Sequence, residues 1–206
     1  MKAALFDLDG VLIDTEPVYS EIWSDIESHF PTGTPDFAKA IKGTTLPGIL
    51  NKYFRKDDHQ AIVEMLYEAE STMQYPLFPQ TMPFLKRLKD AGIPAAIVTS
   101  SGDVKMERLF GMYPDLKSYF GAIITDSQVS HGKPDPECYL LGAKRLGINP
   151  ADCVVFEDSF NGLKAGRAAG AYVAGIATTN PAESLSDFAD IVVDNLDDDK
   201  LDSLFQ

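Results

Sequence analysis

The chain has 206 residues, 45% of them hydrophobic and 24% charged, an ordinary globular balance that suits one mid-sized domain or a core with a small insertion. Its formal charge of −13 argues against a nucleic-acid binder, whose phosphate contacts need a concentrated basic face. No apolar run approaches the roughly 20 residues of a membrane-spanning helix, no secretory signal is read before Asp7, and Cys138 and Cys153 are too few for a disulfide framework or a zinc cluster. The expectation is a cytoplasmic monomer with no membrane or nucleic-acid partner, its cysteines serving as small core residues.

Along the chain, short apolar runs alternate with amphipathic stretches, the pattern of a parallel sheet with crossover helices. The runs predict strands over residues 3–8, 95–99, 122–125, 153–157, 172–176 and 191–193. Several are almost wholly apolar, as strands buried on both faces are. The stretch from Thr15 to Pro79 breaks the alternation. Tyr19, Trp23, Ile26 and Phe30 recur at helical spacing, as do Ile62, Leu66, Ala69 and Met73. A helical insertion over residues 15–79 is therefore expected, in a core of residues 1–14 and 80–206. The sheet resumes after a helix over residues 82–91 that ends at Gly92.

Four groups of polar residues stand at or just after these strand ends, where ligands bind in open parallel sheets. Asp7 and Asp9 close the first strand before Gly10, and strand alternation points both the same way. Paired carboxylates repel unless a cation or a proton intervenes. Thr99, Ser100 and Ser101 follow the second strand, offering hydroxyls and amides to phosphate oxygens. Lys133 precedes Pro134-Asp135-Pro136, a helix start with Asp135 as cap and Pro136 in the first turn. Glu157 and Asp158 end the fourth apolar run, where a charge needs water, a partner or a metal. Alone, each group is also explained as solvated strand ends, helix caps or one more surface lysine.

Taken in order, Asp7-x-Asp9-Gly10, Thr99, Lys133-Pro134 and Glu157-Asp158 resemble the four motifs of the haloacid dehalogenase superfamily. The contexts Phe6-Asp7-Leu8-Asp9-Gly10-Val11-Leu12-Ile13-Asp14-Thr15, Gly132-Lys133-Pro134-Asp135-Pro136 and Phe156-Glu157-Asp158-Ser159-x-x-Gly162 are similar to its sugar-phosphatase and β-phosphoglucomutase-like branch. The resemblance spans essentially the whole chain. It implies a Rossmann-like α/β core with a helical cap after the first motif, and a phosphatase for a small phosphorylated metabolite such as a sugar phosphate. It also implies roles. Asp7 becomes an aspartyl-phosphate, and Asp9 protonates the leaving oxygen and then activates water. Magnesium is held by Asp7, the Asp9 carbonyl and Asp158, with Glu157 orienting a metal-bound water. Thr99, the Ser100 amide and Lys133 hold the phosphoryl group.

Members of the superfamily with carbon–halogen or phosphonate chemistry lack the second aspartate, so Asp9 counts against both. A phosphosugar mutase is the alternative within the branch. There an arginine follows a cap Lys-Gly pair; here Lys42-Gly43 is followed by Leu46, which cannot grip a second phosphate. Tyr19 stands where the mutase has a histidine. Both departures favour hydrolysis. Lys42 remains a candidate substrate contact. A non-catalytic phosphate-sensing module on the same fold is the alternative of another class.

Overall fold

The structure, a computed structural model, describes residues 1–41 and 46–205. The chain forms two compact units, Met1–Asp14 with Pro76–Gln206, and Thr15–Tyr75. Lys42, the candidate substrate contact, lies outside the described residues.

The larger unit holds one sheet of β1 (Ala3–Phe6), β2 (Ala95–Val98), β3 (Ala122–Ile124), β4 (Cys153–Glu157), β5 (Tyr172–Ile176) and β6 (Ile191–Val193). Its order is β3-β2-β1-β4-β5-β6, and every pairing is parallel. In chain order the helices are α1 (Glu16–His29), α2 (Phe37–Ala40), α3 (Leu46–Tyr53), α4 (His59–Thr72), α5 (Thr81–Asp90), α6 (Asp103–Met112), α7 (Glu137–Leu146), α8 (Phe160–Ala168) and α9 (Ala182–Leu185).

Each apolar run read in the sequence forms its strand, but the first three strands stop one or two residues short of the run. The register carries on as single bonds: Asp7 N donates to Phe156 O at 3.0 Å and Thr99 N to Ile124 O at 2.9 Å. The backbone thus leaves the ladder where the polar side chains begin. α7 also starts one residue later than expected, with Pro136 in the cap position. Asp135 thus stands one residue before the cap rather than at it, its side chain accepting from Glu137 N at 2.9 Å.

Alternation along the central strands builds two apolar layers. Leu5, Val98 and Val155 share a cluster with Tyr139 and Ala143 of α7 and Ala165 of α8. On the adjacent positions, Phe6 and Phe156 stack at 4.6 Å, and Phe84 of α5 meets them edge-on at 6.0 and 5.5 Å. Cys138 and Cys153 are free thiols in the first layer, as small core residues would be.

The smaller unit contains no strand among the described residues. The two helical stripes read in the sequence become α1 and α4. Trp23 and Ile26 pack with Phe37, Ile49, Ile62 and Leu66 in a core of this unit's own. Tyr19 Oη donates to Glu70 Oε1 at 3.0 Å within the same unit. Among the described residues no helix is long and apolar enough to cross a membrane.

Leu5 lies on a central strand with no exposed surface. Leu5→Ala should cost about 2–5 kcal/mol, the range for emptying a packed core site. Urea unfolding followed by far-UV circular dichroism measures this as a lower midpoint with an unchanged slope.

Candidate active site

The strand order reverses between β1 and β4, so their carboxyl ends border the crevice where open α/β sheets bind ligands. Asp7 follows β1 and Glu157 ends β4, so adjacent strands deliver two carboxylates to one place. Lys133 reaches them from the approach to α7. Its Nζ donates to Asp7 Oδ1 at 2.9 Å, Val98 O at 3.1 Å and Glu157 Oε1 at 2.6 Å. An ammonium has three hydrogens, and these three acceptors take them all.

Glu157 is completely buried and ringed by donors. Besides Lys133, its Oε1 accepts from Tyr139 Oη at 2.8 Å. Its Oε2 accepts from Asp158 N and Ser159 N, both at 3.1 Å, and from Ser159 Oγ at 3.0 Å. Ser159 in turn caps α8, its oxygen accepting from Gly162 N at 3.1 Å. A Cβ at Gly162 would overlap the Glu157 carboxylate. The glycine therefore lets the first turn of α8 close directly over that buried charge.

Asp158 is clamped from two sides. Gly10 turns with φ +74°, and a Cβ there would overlap the Asp158 carboxylate; glycine answers both the dihedral and the contact. The segment after β5 supplies the other side. Thr179 hydrogen-bonds the Asp158 carboxylate, Asn180 Nδ2 donates to Asp158 O at 2.9 Å, and the Thr178 hydroxyl donates to Gly10 O.

One oxygen each from Asp7, Glu157 and Asp158 lies within 4.8 Å of the others. Lys133 bonds two of these carboxylates, Asp7 and Glu157, and Asp158 stands beside them. Burial pushes the Asp7 carboxyl up to about 7, with Glu157 adding repulsion and Lys133 opposing it. Burial, then repulsion from Glu157 and Asp7, pushes Asp158 up to about 8. Burial alone would lower Lys133, but Asp7 and Glu157 more than reverse this and hold it above its ordinary value. A buried, electron-rich set of hard oxygens is the chemistry that a hard divalent cation satisfies.

Asp9 stands apart from this trio. β1 ends at Phe6, before either residue, so strand alternation does not set the directions of Asp7 and Asp9. Asp9 accepts from Lys105 Nζ at 2.6 and 2.8 Å and from Ser101 Oγ at 3.0 Å. Thr99 is buried at the end of β2, its hydroxyl oxygen accepting from Ser101 N at 3.0 Å, which leaves the hydroxyl hydrogen to donate. Ser100 is exposed on the same turn.

A family model described as haloacid dehalogenase-like hydrolase matches residues 1–170. The chain belongs to that family. It is 36% identical over 179 residues to a phosphorylated carbohydrates phosphatase of Thermotoga maritima, covering 82% of each chain. It is 34% identical over 189 residues to hexitol phosphatase A of Escherichia coli, covering 89% of this chain and 85% of that one. A crystal structure from Thermotoga maritima, provisionally assigned as a β-phosphoglucomutase, shares the fold with a TM-score of 0.79 at 31% identity and 94% coverage of both chains.

In this haloacid dehalogenase-like hydrolase the fold therefore gathers Asp7, Lys133, Glu157 and Asp158 into one cluster, and joins Asp9 to the Thr99–Ser101 turn. Sequence reasoning missed Lys105 and Tyr139. Lys105 had a signal: it is the third residue of α6, where the helix dipole disfavours a cation that lacks an acidic partner. Tyr139 had a fainter one, a hydroxyl on an apolar stripe that needs a hydrogen-bond partner once buried.

The raised carboxyls fix the sign of a pH effect. A native state that holds protons above the ordinary carboxylate range loses stability as the pH climbs through the shifted values. Without divalent cations, the melting temperature should fall between about pH 5 and about pH 8, as Asp7 and Asp158 ionise with shifted values of about 7 and about 8. Lys133 stays charged throughout and adds no slope. Thermal melts in EDTA check this; a melting temperature that rises across that window contradicts it.

Proposed function

We propose that the protein is a magnesium-dependent phosphatase that hydrolyses a small phosphorylated carbohydrate through an aspartyl-phosphate. The observation that carries this is the buried Asp7 carboxylate, fixed by Lys133 and set against Asp158 at the strand-order reversal. The names of the relatives support the substrate class. In this reading the helical unit is the substrate-selecting cap.

Asp7 and Asp158, with the Asp9 carbonyl, are the groups that would hold magnesium. Glu157 has its lone pairs committed to five donors, so its part is to anchor Lys133. When bound, the cation supplies charge screening for the phosphoryl oxygens and lowers the repulsion met by an anionic nucleophile.

The chain's own residues perform the steps. An Asp7 carboxylate oxygen attacks phosphorus, and the bond from phosphorus to the sugar oxygen breaks. Asp9, held by Ser101 and Lys105, takes up a proton from solvent as substrate binds and gives it to that departing oxygen. It then accepts a proton from water as the water attacks the aspartyl-phosphate, releasing phosphate and restoring Asp7. Thr99 directs its hydroxyl at the phosphoryl oxygens, and Lys133 keeps the nucleophile oriented while opposing charge that builds beside it. Leu46 offers no second phosphate grip, and the Tyr19 hydroxyl is engaged by Glu70; both favour water over a second sugar as acceptor.

Asp7→Asn should fold and lose turnover of p-nitrophenyl phosphate with magnesium by about 10⁴-fold or more, the scale on which removing a covalent nucleophile acts. Activity within tenfold of wild type would sink the assignment. Failure of the wild type itself to turn over sugar phosphates with magnesium would return the chain to a sensing role.

Asp9→Asn separates the two steps. A sugar alkoxide is a poor leaving group that needs a proton, and p-nitrophenolate is not. In single-turnover formation of the phosphoenzyme, the variant should lose about 10²–10⁴-fold with a sugar phosphate and far less with p-nitrophenyl phosphate. Equal losses for the two substrates rule out the acid role.

A further inference from the structure

We infer that Tyr139 is a positioning residue for Lys133, acting through Glu157 and through its own ring. The inference deepens the phosphatase reading and rests on it for its kinetic consequence, though not for its geometry.

Tyr139 has no exposed surface, so no substrate touches it. Its effect on the site has to pass through neighbours. Two contacts lead to the same ammonium. The phenol donates to Glu157 Oε1 at 2.8 Å, on the oxygen that accepts from Lys133 at 2.6 Å. The Lys133 Nζ also stands 5.0 Å from the centroid of the Tyr139 ring, within the range of cation–π attraction.

The two Glu157 oxygens are secured differently. Oε2 is tied to the main chain of Asp158 and Ser159 and to the Ser159 hydroxyl. Oε1 has only the phenol and the lysine among the described residues. Remove the phenol, and Oε1 has one partner, Lys133, which it draws more strongly. That same ammonium carries Asp7 at 2.9 Å and Val98 O at 3.1 Å. A tighter hold by Glu157 comes at the expense of the bond to Asp7. The tyrosine hydroxyl thus balances the lysine between a carboxylate that anchors it and one that it orients. A phenylalanine would fill the same apolar space under β1 and β2, so core packing does not account for the oxygen.

The test is Tyr139→Phe, which keeps the ring and deletes one atom. Hydrogen bonds to charged groups are worth roughly tenfold or more in equilibrium terms. With p-nitrophenyl phosphate and magnesium, kcat should fall by about that factor. KM and the magnesium concentration for half-maximal rate should stay within about twofold, because Asp158 and the phosphate-facing turn are untouched. A kcat within about twofold of wild type overturns the inference, whatever happens to the melting temperature.

A crystal structure of Tyr139→Phe gives a readout independent of activity. The bond from Lys133 Nζ to Glu157 should be kept while the one to Asp7 Oδ1, now 2.9 Å, lengthens beyond hydrogen-bonding distance. Retention of both bonds at their present lengths overturns the inference even if the chain proves to hydrolyse nothing. Conversely, an inactive wild type combined with the expected lysine shift would refute the phosphatase reading and leave the positioning intact.

Discussion

A single buried ammonium facing three carboxylates organises this site. Lys133 can satisfy two of them directly, Asp7 and Glu157, and Asp158 adds a third charge at short range. Burial multiplies the repulsion that remains, so protons are retained well above the ordinary range. The rest of the local structure serves to hold that arrangement. Glycine at position 162 admits Glu157 beneath a helix, glycine at position 10 makes room for Asp158, and the threonines and asparagine after β5 tie both turns together. The sheet beneath the site is apolar on both faces.

The same geometry divides the acidic residues into distinct offices. Asp7 is oriented but keeps one oxygen outside the lysine contact. Glu157 is saturated by donors, as an anchor requires. Asp9 belongs to another neighbourhood, joined by Ser101 and Lys105 to the turn after β2. Four carboxylates close together in sequence or in space are therefore not interchangeable. Their surroundings differ in which donors reach them, and those donors come from the turn after β2, α6, α7 with its approach, and the turn before α8.

Much of this was legible in the sequence because it depends on local rules. Apolar runs became strands, helical stripes became α1 and α4, and the ordered motif set placed Asp7, Thr99 and Asp158 just after strands and Lys133 on the approach to α7. What escaped depends on convergence in space. The sharing of Glu157 between Lys133 and Tyr139 joins positions 133, 139 and 157 across two elements, and nothing in their spacing encodes it. Where β1 leaves the ladder, two residues before its apolar run ends, was likewise a balance that spacing does not encode. Strand ends are where such balances are settled by tertiary partners rather than by propensity.

The antiparallel bridge between Ile13 and Leu77 has a consequence for modularity. Asp14 N donates to Pro76 O at 2.8 Å and Phe78 N to Leu12 O at 3.1 Å, so the chain leaves the core and re-enters it through neighbouring residues. An insertion joined in this way closes a loop whose ends are already in contact, and lengthening such a loop adds little entropic cost. The core sheet is thereby indifferent to how much polypeptide the junction carries. Helical segments of other lengths and sequences can be grafted between Asp14 and Pro76 without re-registering a strand, which makes the junction a natural exchange point for recombination and for engineering.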